Sequence, residues 1–311
     1  MLLPFCLAGG TSSIIRFAAV DLHRRPAREP SVTAVEGIHR WFTPGVQNRL
    51  RWPTIQEGPG PRRSAFRLSI SKPTNSVSLS PQDFIDSVLS REPAVAVFDC
   101  DGTLWDGDSG YDFMVWSIEE GIVSRNASDW IDSRYRLYRA GKVSELAMCG
   151  EMVQIYDGLS ELEIRRAAAA FFQSRFTDKI FPEMRSLVAS LTERGTEIWV
   201  VSSTNNWVIE EGVRSFHVLP SRVISARAQV VGGVITSKLI DVPTDEGKAS
   251  SLAKAGVGSP DVVFGNSVHD AAMLQIARQA YPVNPTPALV EIASRHGWPL
   301  FYPAGTLPGS A

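Results

Sequence analysis

Ala94-Val-Ala-Val-Phe-Asp99-Cys-Asp101-Gly-Thr-Leu-Trp105 is an apolar run that stops abruptly at two carboxylates, a glycine and a threonine. Ala94–Phe98 shows no polar alternation, the pattern of a strand buried on both faces within a parallel sheet. Asp99 and Asp101 lie two residues apart, so in extended chain they project to the same side. Two carboxylates crowded at the end of a buried strand repel each other. Such a pair needs a cation, a shared proton or a chemical task. Cys100 alternates to the opposite side and reads as packing rather than as a nucleophile.

Two further apolar strands end in polar clusters. Glu197-Ile-Trp-Val-Val201 runs into Ser202-Ser203-Thr204-Asn205-Asn206, and Asp261-Val-Val-Phe264 into Gly265-Asn266-Ser267-Val268-His269-Asp270. Helical spacing is found before and between them, at 81–90, 179–194, 207–216, 245–255, 271–280 and 287–296. Val223–Val231 and Val234–Ile240 flank Gly232-Gly233, a two-residue hairpin turn. Tyr281-Pro-Val is a short strand. Strands alternating with helices indicate an α/β fold built on a doubly wound parallel sheet. In such sheets the site lies beyond the carboxyl ends of the strands. The three polar clusters are therefore expected to converge at one edge.

Residues 109–175 break the alternation. Phe113, Trp116, Ile118 and Ile122 form one helical stripe, and Trp130, Ile131, Tyr135, Leu137 and Tyr138 another. Two more helices follow over 143–156 and 160–175. The stretch reads as a helical cap domain inserted after the first strand. The core then comprises 81–108 and 176–311. The many aromatic residues (Trp105, Tyr111, Phe113, Trp116, Trp130, Tyr135, Tyr138, Tyr156) read first as the cap's own core. A cage for a quaternary ammonium is the sharper alternative. Asp108, Tyr111 and Arg139 are candidates to face a substrate amine or carboxylate. His269 has no partner at a metal-ligand spacing and reads as a surface or supporting residue.

Residues 1–80 differ in composition, with 11 Lys and Arg against 4 Asp and Glu, whereas the rest of the chain has 20 against 29. They show no sustained period and read as a disordered extension. Their Arg-rich, acid-poor character also fits an organelle-targeting segment. Their charges are scattered, so no nucleic-acid partner is expected. No apolar run reaches the roughly 18 residues that span a bilayer, so no membrane partner is expected either. Three cysteines, Cys6, Cys100 and Cys149, make no disulfide framework and point to a reducing, cytoplasmic setting.

The clusters together suit displacement at phosphorus. One carboxylate serves as nucleophile. A second protonates the leaving oxygen and then deprotonates water. Mg²⁺ held by oxygens screens carboxylate from phosphate, and Lys248 neutralises charge on the transferring group. Lys248 is no P-loop lysine, because Val242 stands where the first glycine is required.

Asp99-Cys-Asp101-Gly-Thr-Leu resembles the first motif of the haloacid dehalogenase superfamily of aspartate-nucleophile hydrolases. Val200-Val-Ser202 resembles its second motif, Lys248 its third, and Gly265-Asn266-Ser267-Val-His-Asp270 its fourth. The helical insert, the Gly232-Gly233 hairpin and Val283-Asn284-Pro-Thr-Pro287 resemble the phosphoserine-phosphatase-like branch. The resemblance implies a Rossmann-like core and a Mg²⁺-dependent phosphatase acting on a small phosphorylated metabolite. It implies that Asp99 is the nucleophile and a metal ligand, and that Asp101 is the acid/base with its carbonyl on the metal. Ser202, Ser203 and Lys248 would bind phosphate, and Asn266 and Asp270 would complete the metal site. Asn266 departs from the family pattern, which has an acid there. A catalytically weak binding protein is the rival reading, and a phosphoserine- or phosphocholine-specific phosphatase is the narrower one. A metal-independent dehalogenase fits less well.

Overall fold

The computed structural model describes residues 78–306. The proposed extension and targeting segment lie outside these residues, apart from the last few positions of 1–80. The chain runs β1 (Ser78–Leu79), α1 (Pro81–Leu89) and β2 (Val95–Phe98), then four consecutive helices. These are α2 (Ser109–Glu119), α3 (Arg125–Arg139), α4 (Glu145–Gln154) and α5 (Glu161–Arg175). Next come α6 (Pro182–Glu193), β3 (Glu197–Asn205), α7 (Asn206–Gly212), β4 (Val223–Val231) and β5 (Val234–Asp241). The chain continues with α8 (Glu246–Lys254), β6 (Val262–Gly265), α9 (Ala271–Gln275), β7 (Gln279–Pro282), α10 (Pro287–His296) and β8 (Leu300–Phe301).

Six strands form one sheet in the order β5-β4-β3-β2-β6-β7, and β1 pairs with β8 in a second, two-stranded sheet. Every pairing in the main sheet is parallel except the β4–β5 hairpin. The α/β doubly wound reading is thus the observed fold. The hairpin turns at Gly232 and Gly233, with φ of 59° and 81°. Two successive positive φ values are what a type I′ turn demands, and glycine meets them without strain.

The unbroken apolar character of β2 has a direct cause. Ala96, Val97 and Phe98 are fully buried because both faces of the sheet are covered. Ala96 and Phe98 join a core that includes Phe84, Leu187 and Phe264. Val97 joins the opposite core, with Leu252, Met273 and Leu289. Each such large side chain contributes about 1.5–3 kcal/mol by leaving water. β3 and β6 flank β2, so the carboxyl ends of all three strands meet at one edge.

In the helical insert, Asp108, Ser124 and Ser144 cap α2, α3 and α4 by accepting the backbone N–H three residues on. Its aromatic stripes mostly pack inward. Phe113 lies 5.6 Å from Tyr156 and 5.3 Å from Phe171 between ring centroids, and Trp105 is fully buried against Phe172. Arg165 of α5 reaches Glu210 of α7 at 2.7 Å, tying the insert to the sheet domain.

Three local features differ from the sequence reading. The helix expected over 271–280 stops at Gln275, because Gln279–Pro282 is taken as a strand by parallel pairing with β6. β3 stays extended to Asn205, pairing with β4 across an irregularity between Ser202 and Asn205. The third concerns Asp99 and Asp101, which do not share one set of partners. β2 ends at Phe98, and the chain turns where Thr103 and Leu104 donate to the Cys100 carbonyl. The extended strand therefore ends before Asp101, yet both carboxylates line one cleft.

Candidate active site

Asp99 directly follows β2 and is almost fully buried. Lys248, in the first turn of α8, crosses to it, and the ammonium donates to Asp99 Oδ1 at 2.7 Å and to Asp270 Oδ1 at 2.5 Å. A longer contact reaches the Val201 carbonyl at 3.4 Å. Two carboxylates thus share one ammonium in a buried centre. Burial works against the charge on Lys248, but Asp270 and Asp99 outweigh it and hold the lysine well above its ordinary value. Burial, then Asp270, pushes the Asp99 carboxyl up to about 7, and Lys248 recovers only part of that rise. The remaining Asp99 oxygen, Oδ2, accepts the Thr103 hydroxyl at 2.9 Å.

Asp270 is fully buried behind this pair. Its Oδ2 accepts Asn266 N and Ser267 N, both at 2.9 Å, fixing the turn from β6 into α9. Both of its oxygens are therefore bonded to protein donors, Oδ1 to the Lys248 ammonium and Oδ2 to the turn. Asn266 lies against the first motif: a Cβ at Gly102 would fall 1.9 Å from Asn266 Nδ2. Gly102 has φ of 73°, so both the turn and this close approach require glycine.

Asp101 is held by three donors. Oδ1 accepts the Trp105 indole N–H and Ser109 N, each at 2.7 Å, and Oδ2 accepts the Thr204 hydroxyl at 2.7 Å. Ser202 is buried and its Oγ accepts Thr204 N at 3.1 Å. Ser203 also lines the cleft, and its hydroxyl donates to the Pro243 carbonyl at 3.0 Å, in the loop before α8. Sequence reasoning missed the bonds of Thr103 and Trp105 to the two aspartates. Both residues sit in the opening stretch, but Trp105 was read as a ring and not as an N–H donor.

A cleft of about 480 Å³ opens over these groups. Asp99, Asp101, Ser202, Ser203, Lys248 and Asn266 line its floor side, and Tyr111, Tyr135, Tyr138, Arg139 and Glu145 come from the insert. Asp270 lies outside the lining. Tyr111 and Tyr135 stack at 4.7 Å. Trp130 is exposed and absent from the lining, so the aromatic contribution to the cleft is these tyrosines.

The loop Val242–Asp245 brings α8 to the site. Asp245 has φ of 50° and ψ of −129°, a backbone region that costs a residue with a side chain on the order of 1–3 kcal/mol. His269 Nδ1 lies 2.7 Å from Asp245 Oδ1. His269 thus has a partner across the fold that sequence spacing did not show.

The haloacid dehalogenase-like hydrolase family model matches residues 96–275. Histidinol-phosphatase from Neisseria meningitidis serogroup C (strain 8013) is 26% identical over 217 residues, covering 66% of this chain and 97% of that protein. Phosphoserine phosphatase SerB1 from Mycobacterium tuberculosis (strain ATCC 25618 / H37Rv) is 23% identical over 250 residues, covering 73% and 79%. The crystal structure of a protein of unknown function from Bordetella pertussis Tohama I superposes with a TM-score of 0.60 at 22% identity, covering 67% of this chain and 97% of that one. With the family match spanning more than half of the sequence and the Asp99–Lys248–Asp270 centre at its strand ends, the chain belongs to the haloacid dehalogenase-like hydrolases.

Proposed function

We propose that this hydrolase is a phosphatase that cleaves a small phosphomonoester through an aspartyl phosphate on Asp99. The observation that carries the reading is Asp99 itself, buried at a strand end, lining the cleft and paired with Lys248. The phosphatase names of the two relatives support it. In the first step Asp99 attacks phosphorus, the ester P–O bond breaks, and the leaving oxygen takes a proton from Asp101. In the second, Asp101 takes a proton from water, which attacks phosphorus and releases phosphate with Asp99 restored. Lys248 offsets charge on the phosphoryl oxygens, and the Ser202 hydroxyl donates to one of them.

The contacts of Asp101 favour one of its oxygens for the transferred proton. Oδ1 meets only N–H donors, whereas Oδ2 meets the Thr204 hydroxyl. A hydroxyl can turn from donor to acceptor, so Oδ2 is the oxygen that carries the proton without losing its partner.

A hard dication suits this donor set. Burial and Asp270 push the Asp99 carboxyl up despite Lys248, and a cation beside it would act in the same direction as the lysine. Among the described residues no three of His, Cys, Asp and Glu gather into a metal site. Mg²⁺ would therefore draw on Asp99, the Asp101 carbonyl and the Asn266 amide oxygen, with Asp270 acting through Lys248 and the turn. When bound, it supplies positive charge to the phosphoryl oxygens. An amide in place of an acid costs the site one negative charge. Asn266→Asp is expected to lower the Mg²⁺ concentration for half-maximal activity by roughly tenfold, about 1.4 kcal/mol. An unchanged or higher requirement would remove Asn266 from the metal site.

The deciding experiment is a panel of small phosphate esters assayed for phosphate release with Mg²⁺ and with EDTA. Mg²⁺-dependent release from at least one ester is expected. Asn266 is the one feature that favours the rival reading of a phosphate-binding protein, and binding of phosphate esters without turnover would select that rival.

A further inference from the structure

The strained residue Asp245 and the contact that holds it have no role in the steps above. Asp245 occupies a backbone conformation suited to glycine, immediately before the helix that carries Lys248. Its carbonyl accepts Lys248 N at 3.2 Å, and Thr244 O accepts Gly247 N at 2.8 Å, so this residue sets the first turn of α8. An ordinary φ at Asp245 would redirect that turn and swing the lysine away from Asp99. Its side chain is tied down by His269, Nδ1 to Oδ1 at 2.7 Å.

His269 is well placed to act as a fixed post. It sits one residue before Asp270, whose turn is locked by Asn266 N and Ser267 N. Its other nitrogen, Nε2, is 3.7 Å from Glu145 Oε2 on α4. Glu145 is in turn held by the Tyr138 hydroxyl and by the Cys149 thiol. The Lys248 loop, the β6–α9 turn and the insert therefore meet at one imidazole.

We infer that His269 is a positioning residue: it clamps Asp245 in its strained backbone and so aims Lys248 at Asp99 and the phosphoryl group. This rests on the phosphatase reading for its effect on turnover, but not for the clamp itself. His269 touches neither reacting oxygen nor phosphorus in the proposed steps, and acts through Asp245.

Glycine at position 245 separates a clamp from a merely stabilising contact, because glycine adopts this backbone without being held. The assay is turnover of p-nitrophenyl phosphate at saturating Mg²⁺. His269→Ala and Asp245→Ala are each expected to lower kcat by about 10- to 100-fold with KM changed much less, as for a catalytic group displaced by about an ångström. Asp245→Gly is expected to keep kcat within about threefold of wild type, and adding His269→Ala to it should cost little more, a strongly non-additive cycle. Equal losses for the Ala and Gly variants at 245, or additive losses in the double variant, would overturn the clamp.

Hydrogen exchange at the Gly247 and Lys248 amides reads the clamp without turnover. His269→Ala should speed it in the wild-type background and leave it unchanged beside Asp245→Gly. Unchanged exchange on His269→Ala refutes the clamp even if esters are hydrolysed. Faster exchange in a protein that hydrolyses no ester upholds the clamp and rejects only the phosphatase reading.

Discussion

Asp99→Asn is expected to release no phosphate above background, a loss of at least about 10⁴-fold of the kind that follows removal of a covalent nucleophile. The same variant is expected to fold at least as firmly as wild type. The buried site pushes the Asp99 carboxyl up to about 7, well above the ordinary aspartate value of 3.8. Between those values the folded chain binds the proton that the unfolded chain has released. Wild-type stability in EDTA should therefore fall as pH rises from about 4 to 7 and level off above. Asparagine carries no such penalty. The stability difference in favour of Asp99→Asn should grow across that window to about 4 kcal/mol, less any bond the amide fails to keep with Lys248 or Thr103. Urea unfolding at pH 5 and pH 8 measures it. Phosphate release equal to wild type would end the nucleophile assignment. A variant weaker at pH 8 than at pH 5, relative to wild type, would end the account of Asp99 as an under-neutralised buried acid.

Lys248→Met should fail in the opposite way, losing both activity and stability. Lys248, Asp99 and Asp270 are all nearly or fully buried, and the ammonium is the cation bonded to both carboxylates. Removing it leaves two buried anions facing each other, which costs about 3–5 kcal/mol. The pair must then take up a proton, so the loss should be smaller at pH 5 than at pH 8. Turnover should drop by about 10³-fold, because the charge at the phosphoryl group goes with the side chain. A variant as stable as wild type in EDTA would show that the three groups do not form this centre in solution. Turnover within tenfold of wild type would take Lys248 out of the phosphate site.

The sheet was readable because burial on two faces leaves a plain mark: Ala96, Val97 and Phe98 are apolar without alternation. Asp99, Ser202 and Asn266 could be brought together because the strand ends of a doubly wound sheet share an edge, whereas Lys248, on α8, was identified by its charge and by the motif resemblance. What sequence did not reveal depends on single torsions and on contacts distant along the chain. The turn after Cys100 gives Asp101 the partners Trp105, Ser109 and Thr204, which residue parity along the strand does not show, although both carboxylates line one cleft. Ser203 donates its hydroxyl to Pro243, a residue 40 positions away. Asp270 is a candidate by residue type alone, and its bonds to Lys248 and to the turn are contacts that its type does not show. Asp245 is an aspartate in a conformation suited to glycine, and no residue pattern marks that.

The placement of Asp99 also divides the site by rigidity. Its backbone N–H bonds the Phe264 carbonyl at 3.0 Å, extending the pairing of a strand buried on both faces. Amides in such a strand exchange only when much of the domain opens. The far wall of the cleft comes from helices that pack on the sheet at its margin, and its tyrosines are only partly buried. The carboxylate that would carry a phosphoryl group therefore lies in the slowest-opening part of the chain, while the tyrosines facing it lie nearer the surface.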